Sequence, residues 1–302
     1  MQPKFHKRLV MTIVMTSLAS IALSSCSAHD SNADGQNSVE TRLDKKLGII
    51  HFPVEQFSVS ADEDDTLTSA YTIKVAECAN EQGVRFYPSA PTHDIANITS
   101  NYFGVWVKEY AEKYGFVGAQ SDADLVANGI KGAPHVTHRG TLASRNNGKL
   151  TDEEWNVVDA CHAHAKAFDS RTIAPNGPWA KAANAATNSA LASEAAEKVE
   201  SSYDACLKAA DLEPDPGNPG FVRGSDVNVI SPQQIALALK VVSCKTQVHY
   251  VESLSELVAD AQAPTVAKYH KELVAQRRRI DAALVKAKNV IADYQRDHPD
   301  FK

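Results

Sequence analysis

Four cysteines that lie on helical apolar patterns constrain the fold of this chain more than any other feature. Each follows a large apolar residue by three positions, and positions i and i+3 share one face of an α-helix. The four pairs are Val75 and Cys78, Val158 and Cys161, Tyr203 and Cys206, and Val241 and Cys244. This spacing predicts four separate helices whose thiols point toward the interior of the fold.

Local signals elsewhere also favour helices. Ser60 with Glu63 and Thr151 with Glu154 have the spacing of capping boxes, which mark helix starts. Stretches rich in proline and glycine, such as residues 212–220, separate the helical segments and predict irregular loops. Because no stretch has a convincing alternation of apolar and polar residues, the sequence predicts an all-α, bundle-like domain.

The C-terminal third has the strongest helical pattern. Apolar residues recur at helical steps from Val241 to Val258 and again from Leu273 to Tyr294, with Pro264 between the two runs. Proline breaks or kinks a helix when it lies in the interior. The pattern therefore predicts a long helical hairpin, whose two helices run antiparallel on either side of Pro264.

The amino-terminal residues have the pattern of a bacterial lipoprotein signal. A basic start is followed by an apolar run over residues 9–23, by two serines and by Cys26. Such a charged start, short apolar core and small-residue cleavage site are typical of a secretory signal. The order Leu23-Ser24-Ser25-Cys26 resembles the bacterial lipobox, which implies cleavage before Cys26 and diacylglyceryl transfer to its thiol. The alternative is ordinary secretion, with a cysteine near the cleavage site by chance.

These patterns divide the chain into three expected parts. Residues 1–25 are the cleaved signal peptide, and residues 26–50 hold the lipidated Cys26 and a disordered polar tether. Residues 51–302 form a single helical domain. The expected location is the extracytoplasmic face of the cell membrane, where the lipid on Cys26 is the anchor.

Export makes disulfides the preferred state of the remaining cysteines. Cys78, Cys161, Cys206 and Cys244 are even in number, and oxidising compartments favour disulfides over free thiols. Four cysteines allow three pairings. We favour Cys78–Cys161 and Cys206–Cys244, because each bond would join helices that follow one another in the chain. Four free cysteines in the core are the alternative.

Several of these stretches resemble a set of uncharacterised actinobacterial lipoproteins. The similarity rests on Tyr71-x6-Cys78-x4-Gly83, on Tyr114-Gly115-Phe116, on residues 122–129 and on the stretch from Ile235 to Lys245. In that last stretch the family often has Ala-Asp where this chain has Lys240 and Val241. The resemblance covers most of residues 53–295 and implies a helical, surface-anchored protein. It implies no activity.

Charge and motif content argue against several classes of function. The chain has 31 basic and 37 acidic residues, and removal of Lys4, Lys7 and Arg8 with the signal leaves 28 against 37, a net charge of −9. Such an acidic chain is a poor partner for nucleic acid. The sequence also lacks a Gly-x-Ser-x-Gly elbow and a Ser-x-x-Lys set with its companion motifs, so hydrolase chemistry has little support.

Four histidines make a candidate metal site. His162 and His164 are two positions apart in a helical stretch, whereas His135 and His138 are three apart in a loop. Together they could bind zinc or copper. Positions i and i+2 diverge by about 200° around a helix, however, so the side chains of His162 and His164 would point to different sides. The alternative is that all four are ordinary surface histidines.

Three aromatic residues are the candidate ligand-lining cluster. Trp106 and Tyr110 belong to an aromatic stripe at helical steps, and Trp155 lies on a later helix. Such residues line ligand pockets, but they also fill cores. The sequence thus favours a non-enzymatic, lipid-anchored domain that binds an envelope protein, a wall component or a small ligand. The alternatives are a metal-binding lipoprotein and a cell-envelope hydrolase.

Overall fold

Helices dominate the computed structural model, which describes residues 42–46, 48–91, 103–135 and 141–301. Eleven α-helices lie within these residues. They are α1 Ala61–Glu81, α2 Lys108–Tyr114, α3 Asp122–Ala127, α4 Leu142–Asn147, α5 Asp152–Ala165, α6 Ser170–Ile173, α7 Pro178–Leu191, α8 Glu194–Ala209, α9 Pro232–Gln247, α10 Tyr250–Lys268 and α11 His270–Asp297. The all-α class is confirmed. Residues 1–41, with the expected signal and Cys26, lie outside the described part of the chain.

Both predicted capping boxes are confirmed. The backbone N–H of Glu63 donates to Ser60 Oγ at 3.3 Å, and the backbone N–H of Ser60 donates to the Glu63 carboxylate at 2.9 Å. Thr151 and Glu154 make the same reciprocal pair at 3.3 and 2.8 Å. Each box satisfies two backbone donors that the first turn of a helix leaves without partners. These bonds fix where α1 and α5 begin.

The predicted C-terminal hairpin is wrong, because Pro264 lies within α10 rather than between two helices. The chain leaves helical geometry instead at His249, which has a φ of 51°, and again at Tyr269. Backbone hydrogen bonds from Tyr269 N to Thr265 O at 3.1 Å and from Leu273 N to Tyr269 O at 2.9 Å run across the second break. A reversal needs a loop of a few residues, and no such loop is present here.

The two long C-terminal helices, α10 and α11, therefore pack mainly against other elements and only slightly against each other. The main partner of α10 is α7, and the main partner of α11 is α1. Pro264 is tolerated inside α10 because it and Asp260 are exposed, so water can bond the carbonyl that the proline leaves unpaired. No helix in the described part of the chain is long and apolar enough to cross a membrane.

A short β-hairpin precedes the helices and shortens the expected tether. Strands β1 Arg42–Asp44 and β2 Ile49–His51 pair in antiparallel register, with Leu43 opposite Ile50. Ile50 and the following Phe52 are each only 1% exposed and join the largest core cluster. The prediction of disorder up to residue 50 is thus wrong for residues 42–46 and 48–50. A three-residue strand is too short for its alternation to stand out in the sequence.

Two disulfides join pairs of helices, and the favoured pairing is confirmed. Cys78–Cys161 links α1 to α5 with a Cα–Cα distance of 5.7 Å, and Cys206–Cys244 links α8 to α9 at 5.6 Å. They close loops of 83 and 38 residues. In the chain-entropy model each bond stabilises the fold by about 4 kcal/mol, because it restricts the unfolded chain.

Candidate functional site

The segment of residues 103–107, which is irregular after Phe103, crosses over α9 and is called the strap below. The sequence pattern predicts an aromatic stripe on one helix here, but α2 begins only at Lys108, so Phe103 and Trp106 precede it. Phe103 is buried and packs edge-to-face against Tyr250 with ring centroids 6.1 Å apart. Trp106 is half-buried. The strap thus has one aromatic residue in the core and a second closer to the surface.

A buried lysine on α9 fixes the strap. Lys245 is 2% exposed, and its ammonium donates to the backbone oxygens of Phe103 and, at 2.8 Å, of Val105. The rings of Tyr203 and Tyr250 lie with their centroids 5.8 Å from Nζ. Within the described residues no carboxylate lies at ion-pair distance from Lys245. Carbonyl dipoles and ring faces therefore take the place of a counter-charge.

Burial shifts the ionisation of this group. It lowers the pKa of Lys245 to about 7, because the charged amine is removed from water. Burial also raises the pKa of Tyr203 and of Tyr250 above their ordinary value, and nearby acidic and phenolic groups add to the rise. Lys245 thus changes charge near neutral pH, while both tyrosines stay neutral there.

Two glycines allow the strap and the loop before α9 to approach Lys245 closely. Gly104 has a φ of +62°, and a Cβ there would lie 3.2 Å from Lys245 Nζ. Gly220 has a φ of +83°, and a Cβ there would lie 2.7 Å from the carbonyl oxygen of Phe103. Tyr203 Oη donates to the carbonyl of Gly220 at 3.3 Å. Both backbone angle and space therefore require glycine at these positions.

A cleft with a volume of about 550 Å³ opens beside the strap, between the β-hairpin, the start of α2, α9 and α10. We call it the Trp106 cleft. Its charged lining residues are Lys45, Lys46, Lys108, Lys245, Glu109 and Glu252, and its apolar wall is Trp106, Val107 and Val251. The volume falls within the range of small-molecule sites. An indole wall with ammonium and carboxylate groups around it suits noncovalent binding.

The structure brings together two of the three aromatic candidates. Trp106 and Tyr110 both line a small apolar pocket of about 30 Å³ next to the cleft, and Tyr110 Oη donates to the backbone oxygen of Lys46 at 3.0 Å. Trp155 lines neither cavity. It is 36% exposed and packs edge-to-face against Phe86, with ring centroids 6.1 Å apart.

The histidine candidates do not form a metal site within the described residues. His162 Nδ1 lies 2.8 Å from Tyr71 Oη, and the two rings stack with centroids 5.6 Å apart. His164 and His135 are exposed, and His138 lies outside the described part of the chain. Among the described residues no three side chains with metal-binding atoms are grouped. The helical position of His162 and His164 separates them as the periodicity predicts.

Sequence reasoning missed Lys245, although a signal for it exists. It lies four positions after Val241 and three before Val248, on the same apolar stripe of α9 as Cys244.

Comparison with protein-family models, with curated proteins and with solved structures finds no match to this chain.

Proposed function

We propose that this chain is a lipid-anchored extracytoplasmic protein that binds a ligand noncovalently in the Trp106 cleft. The observation that carries the proposal is the cleft itself: about 550 Å³, with an indole wall and charged groups of both signs. Such a combination of apolar surface and a few polar groups is typical of ligand sites. Its titratable residues are lysines and glutamates, and Lys245 is held by backbone carbonyls, so we propose binding rather than catalysis.

Three features support the proposed location. The basic start, the apolar run and Leu23-Ser24-Ser25-Cys26 resemble a lipoprotein signal. Two disulfides suit a compartment outside the cytoplasm. The stretch from Ile235 to Lys245 resembles actinobacterial lipoproteins. Because the folded part includes Arg42, the proposed tether is at most residues 26–41.

Metabolic labelling tests the anchor. Cells that produce the full chain would be fed an alkyne-bearing fatty acid, and the protein would be examined for label. We expect label on the wild-type protein and none on Cys26→Ser, with the wild-type protein in the membrane fraction. A wild-type chain that carries no label, or a Cys26→Ser chain that keeps it, would contradict the proposed anchor.

Native mass spectrometry tests the cleft. The wild-type lipoprotein would be purified from its own membrane in a mild detergent and compared with Trp106→Ala and Trp155→Ala. We expect an added ligand mass on the wild type and on Trp155→Ala, because Trp155 lines neither cavity. We expect its loss from Trp106→Ala. A ligand that survives Trp106→Ala, or that departs equally from both variants, would place the site elsewhere.

A further inference from the structure

We infer that the ligand of the Trp106 cleft is a small amphipathic anion, in which one carboxylate or phosphate group is attached to an apolar body. This inference rests on the proposed function and names the class of ligand. It follows from three properties of the cleft: a surplus of ammonium groups, a buried cation at its lining and an apolar wall.

The cleft is positive although the chain is negative. The whole chain has a formal charge of −6, whereas the cleft is lined by four lysines and two glutamates, a difference of +2 when Lys245 is protonated. Glu252 is already paired, with its carboxylate 3.0 Å from Lys45 Nζ. Such a local reversal of sign focuses the field of the protein and attracts anions.

Lys46 is the best placed of the exposed cations to meet a ligand. Its backbone is held on both sides, because its N–H donates to Asp44 at 3.0 Å and its carbonyl accepts from Tyr110. Its ammonium has no ion-pair partner among the described residues. Lys108 is 3.4 Å from Glu112, but both side chains are at least half exposed, so this pair is weak and can open.

In its protonated form, Lys245 adds a cation that solvent does not screen. It lines the cleft, is 2% exposed and has carbonyl oxygens and ring faces around it instead of a carboxylate. A buried charge without a counter-charge is costly. An anion in the cleft would reduce that cost, and the energy gained would appear as affinity for the anion.

The apolar wall argues against a bare inorganic anion. Trp106, Val107 and Val251 line the cleft, and Trp106 continues into the small pocket with Tyr110. A phosphate ion alone would leave this surface in water. An apolar body attached to the anionic group would cover the indole and gain roughly 25 cal/mol for each Å² that it buries.

Isothermal titration calorimetry tests the class of ligand. The full lipoprotein would be placed in phosphatidylcholine nanodiscs and titrated with hexyl phosphate, hexyl glucoside and hexyltrimethylammonium, with empty nanodiscs as the blank. We expect hexyl phosphate to bind at least tenfold more tightly than the other two. Equal affinity for hexyl glucoside and hexyl phosphate, with loss of both in Trp106→Ala, would overturn the anion inference and leave the proposed cleft intact. No binding of any probe would overturn both.

A matched pair of double variants tests the lysines. Lys46→Gln/Lys108→Gln removes two cleft cations, and Lys271→Gln/Lys288→Gln removes two exposed cations of α11, so the net charge changes equally. We expect the first to weaken hexyl phosphate binding at least tenfold and the second by less than twofold. Equal losses would mean that overall charge, and not the cleft, attracts the anion, and would overturn the inference.

The same titration separates two sources of the anion. If the natural ligand is an anionic lipid headgroup, phosphatidylglycerol in the nanodisc competes and weakens the apparent affinity for hexyl phosphate. If it is a free solute, phosphatidylglycerol leaves that affinity unchanged. Both results support an anionic ligand, and each identifies its source.

Discussion

At the scale of single residues, Lys245 shows that a position in an apolar pattern can be buried even when it holds a charged residue. Its position on the apolar stripe of α9 matches a core residue, and it is indeed 2% exposed. A lysine stem is apolar, so most such residues extend and keep the ammonium in water. Whether the ammonium reaches water depends on whether another segment of the chain packs over the end of the side chain. Here the strap lies above Lys245, and the carbonyl oxygens of the strap accept hydrogen bonds from the ammonium.

The first prediction concerns pH and Lys245. Its pKa is about 7 in the folded chain and close to 10.4 when unfolded, so between these values the unfolded chain binds one more proton. The free energy of unfolding should therefore rise as the pH is raised through this window, by up to about 1.4 kcal/mol per pH unit. This gain is lost again as the pH falls toward 7. We expect Lys245→Met to lack this component.

Urea unfolding at pH 7, 8 and 9 measures this pH-dependent contribution of Lys245. The difference in free energy of unfolding between wild type and Lys245→Met should grow at each step. The window stops at pH 9 because Tyr203 and Tyr250 have raised pKa values and, at higher pH, ionise only in the unfolded chain, which lowers stability. Parallel profiles for the two proteins would show that Lys245 keeps its proton throughout.

The second prediction compares two glycines that have nearly the same backbone angle. Gly220 has a φ of +83° and Gly224 of +86°, but a Cβ would meet the Phe103 carbonyl only at Gly220. We expect Gly224→Ala to cost about 1 kcal/mol from the left-handed backbone alone. Gly220→Ala should cost about 2 kcal/mol more, because the strap must move. Equal losses of unfolding free energy in the two variants, measured in urea, would show that the strap can move without an energetic cost.

At the scale of elements, the helix starts were readable from the sequence and some helix ends were not. A capping box is local, since Ser60 and Glu63 find their partners within one turn. The effect of Pro264 is not local in this sense. Whether a proline breaks a helix depends on whether the carbonyl four residues before it, here that of Asp260, can be solvated. The real breaks lie at His249, which is left-handed, and at Tyr269, and neither has a proline or glycine signal.

The third prediction separates the two capping boxes. The Glu63 carboxylate also accepts two hydrogen bonds from Arg277, at 2.9 and 3.1 Å, with both side chains largely buried. Among the described residues, Glu154 makes only its capping contacts. We expect Glu154→Gln to cost about 0.5 kcal/mol or less. Glu63→Gln should cost about 1–2 kcal/mol more, because it weakens a charge-assisted pair between α1 and α11. Chemical denaturation measures both, and a similar cost would mean that the Arg277 contact adds nothing.

At the scale of the whole molecule, each disulfide supports a different core. Cys78–Cys161 lies in the cluster shared by α1 and α5, and Cys206–Cys244 lies in the larger cluster of α8, α9 and α10. The helical faces predicted that all four thiols lie in the interior, and the order of the four cysteine-bearing helices along the chain favoured this pairing. The cleft was not, since its parts come from distant positions: the Lys45–Glu252 pair is 207 residues apart, and Lys245 and Phe103 are 142 apart.

The fourth prediction concerns the order in which the disulfides are reduced. Cys161 is fully buried and Cys78 only 9% exposed, while Cys206 is half-buried and lies closer to solvent. A thiolate must reach a sulfur atom to attack it. We expect dithiothreitol, under native conditions, to open Cys206–Cys244 first. Alkylation followed by peptide mapping at short times measures the order, and earlier labelling of Cys78 and Cys161 would contradict it.

The central claim is that the Trp106 cleft binds an amphipathic anion, and fluorine NMR tests it most directly. The chain has three tryptophans, so 5-fluorotryptophan labelling gives three signals, which Trp106→Phe, Trp155→Phe and Trp179→Phe would assign. On titration with hexyl phosphate, we predict that the Trp106 signal shifts and saturates while those of Trp155 and Trp179 stay in place. A titration that moves Trp155 or Trp179 instead, or none of the three, would contradict the claim.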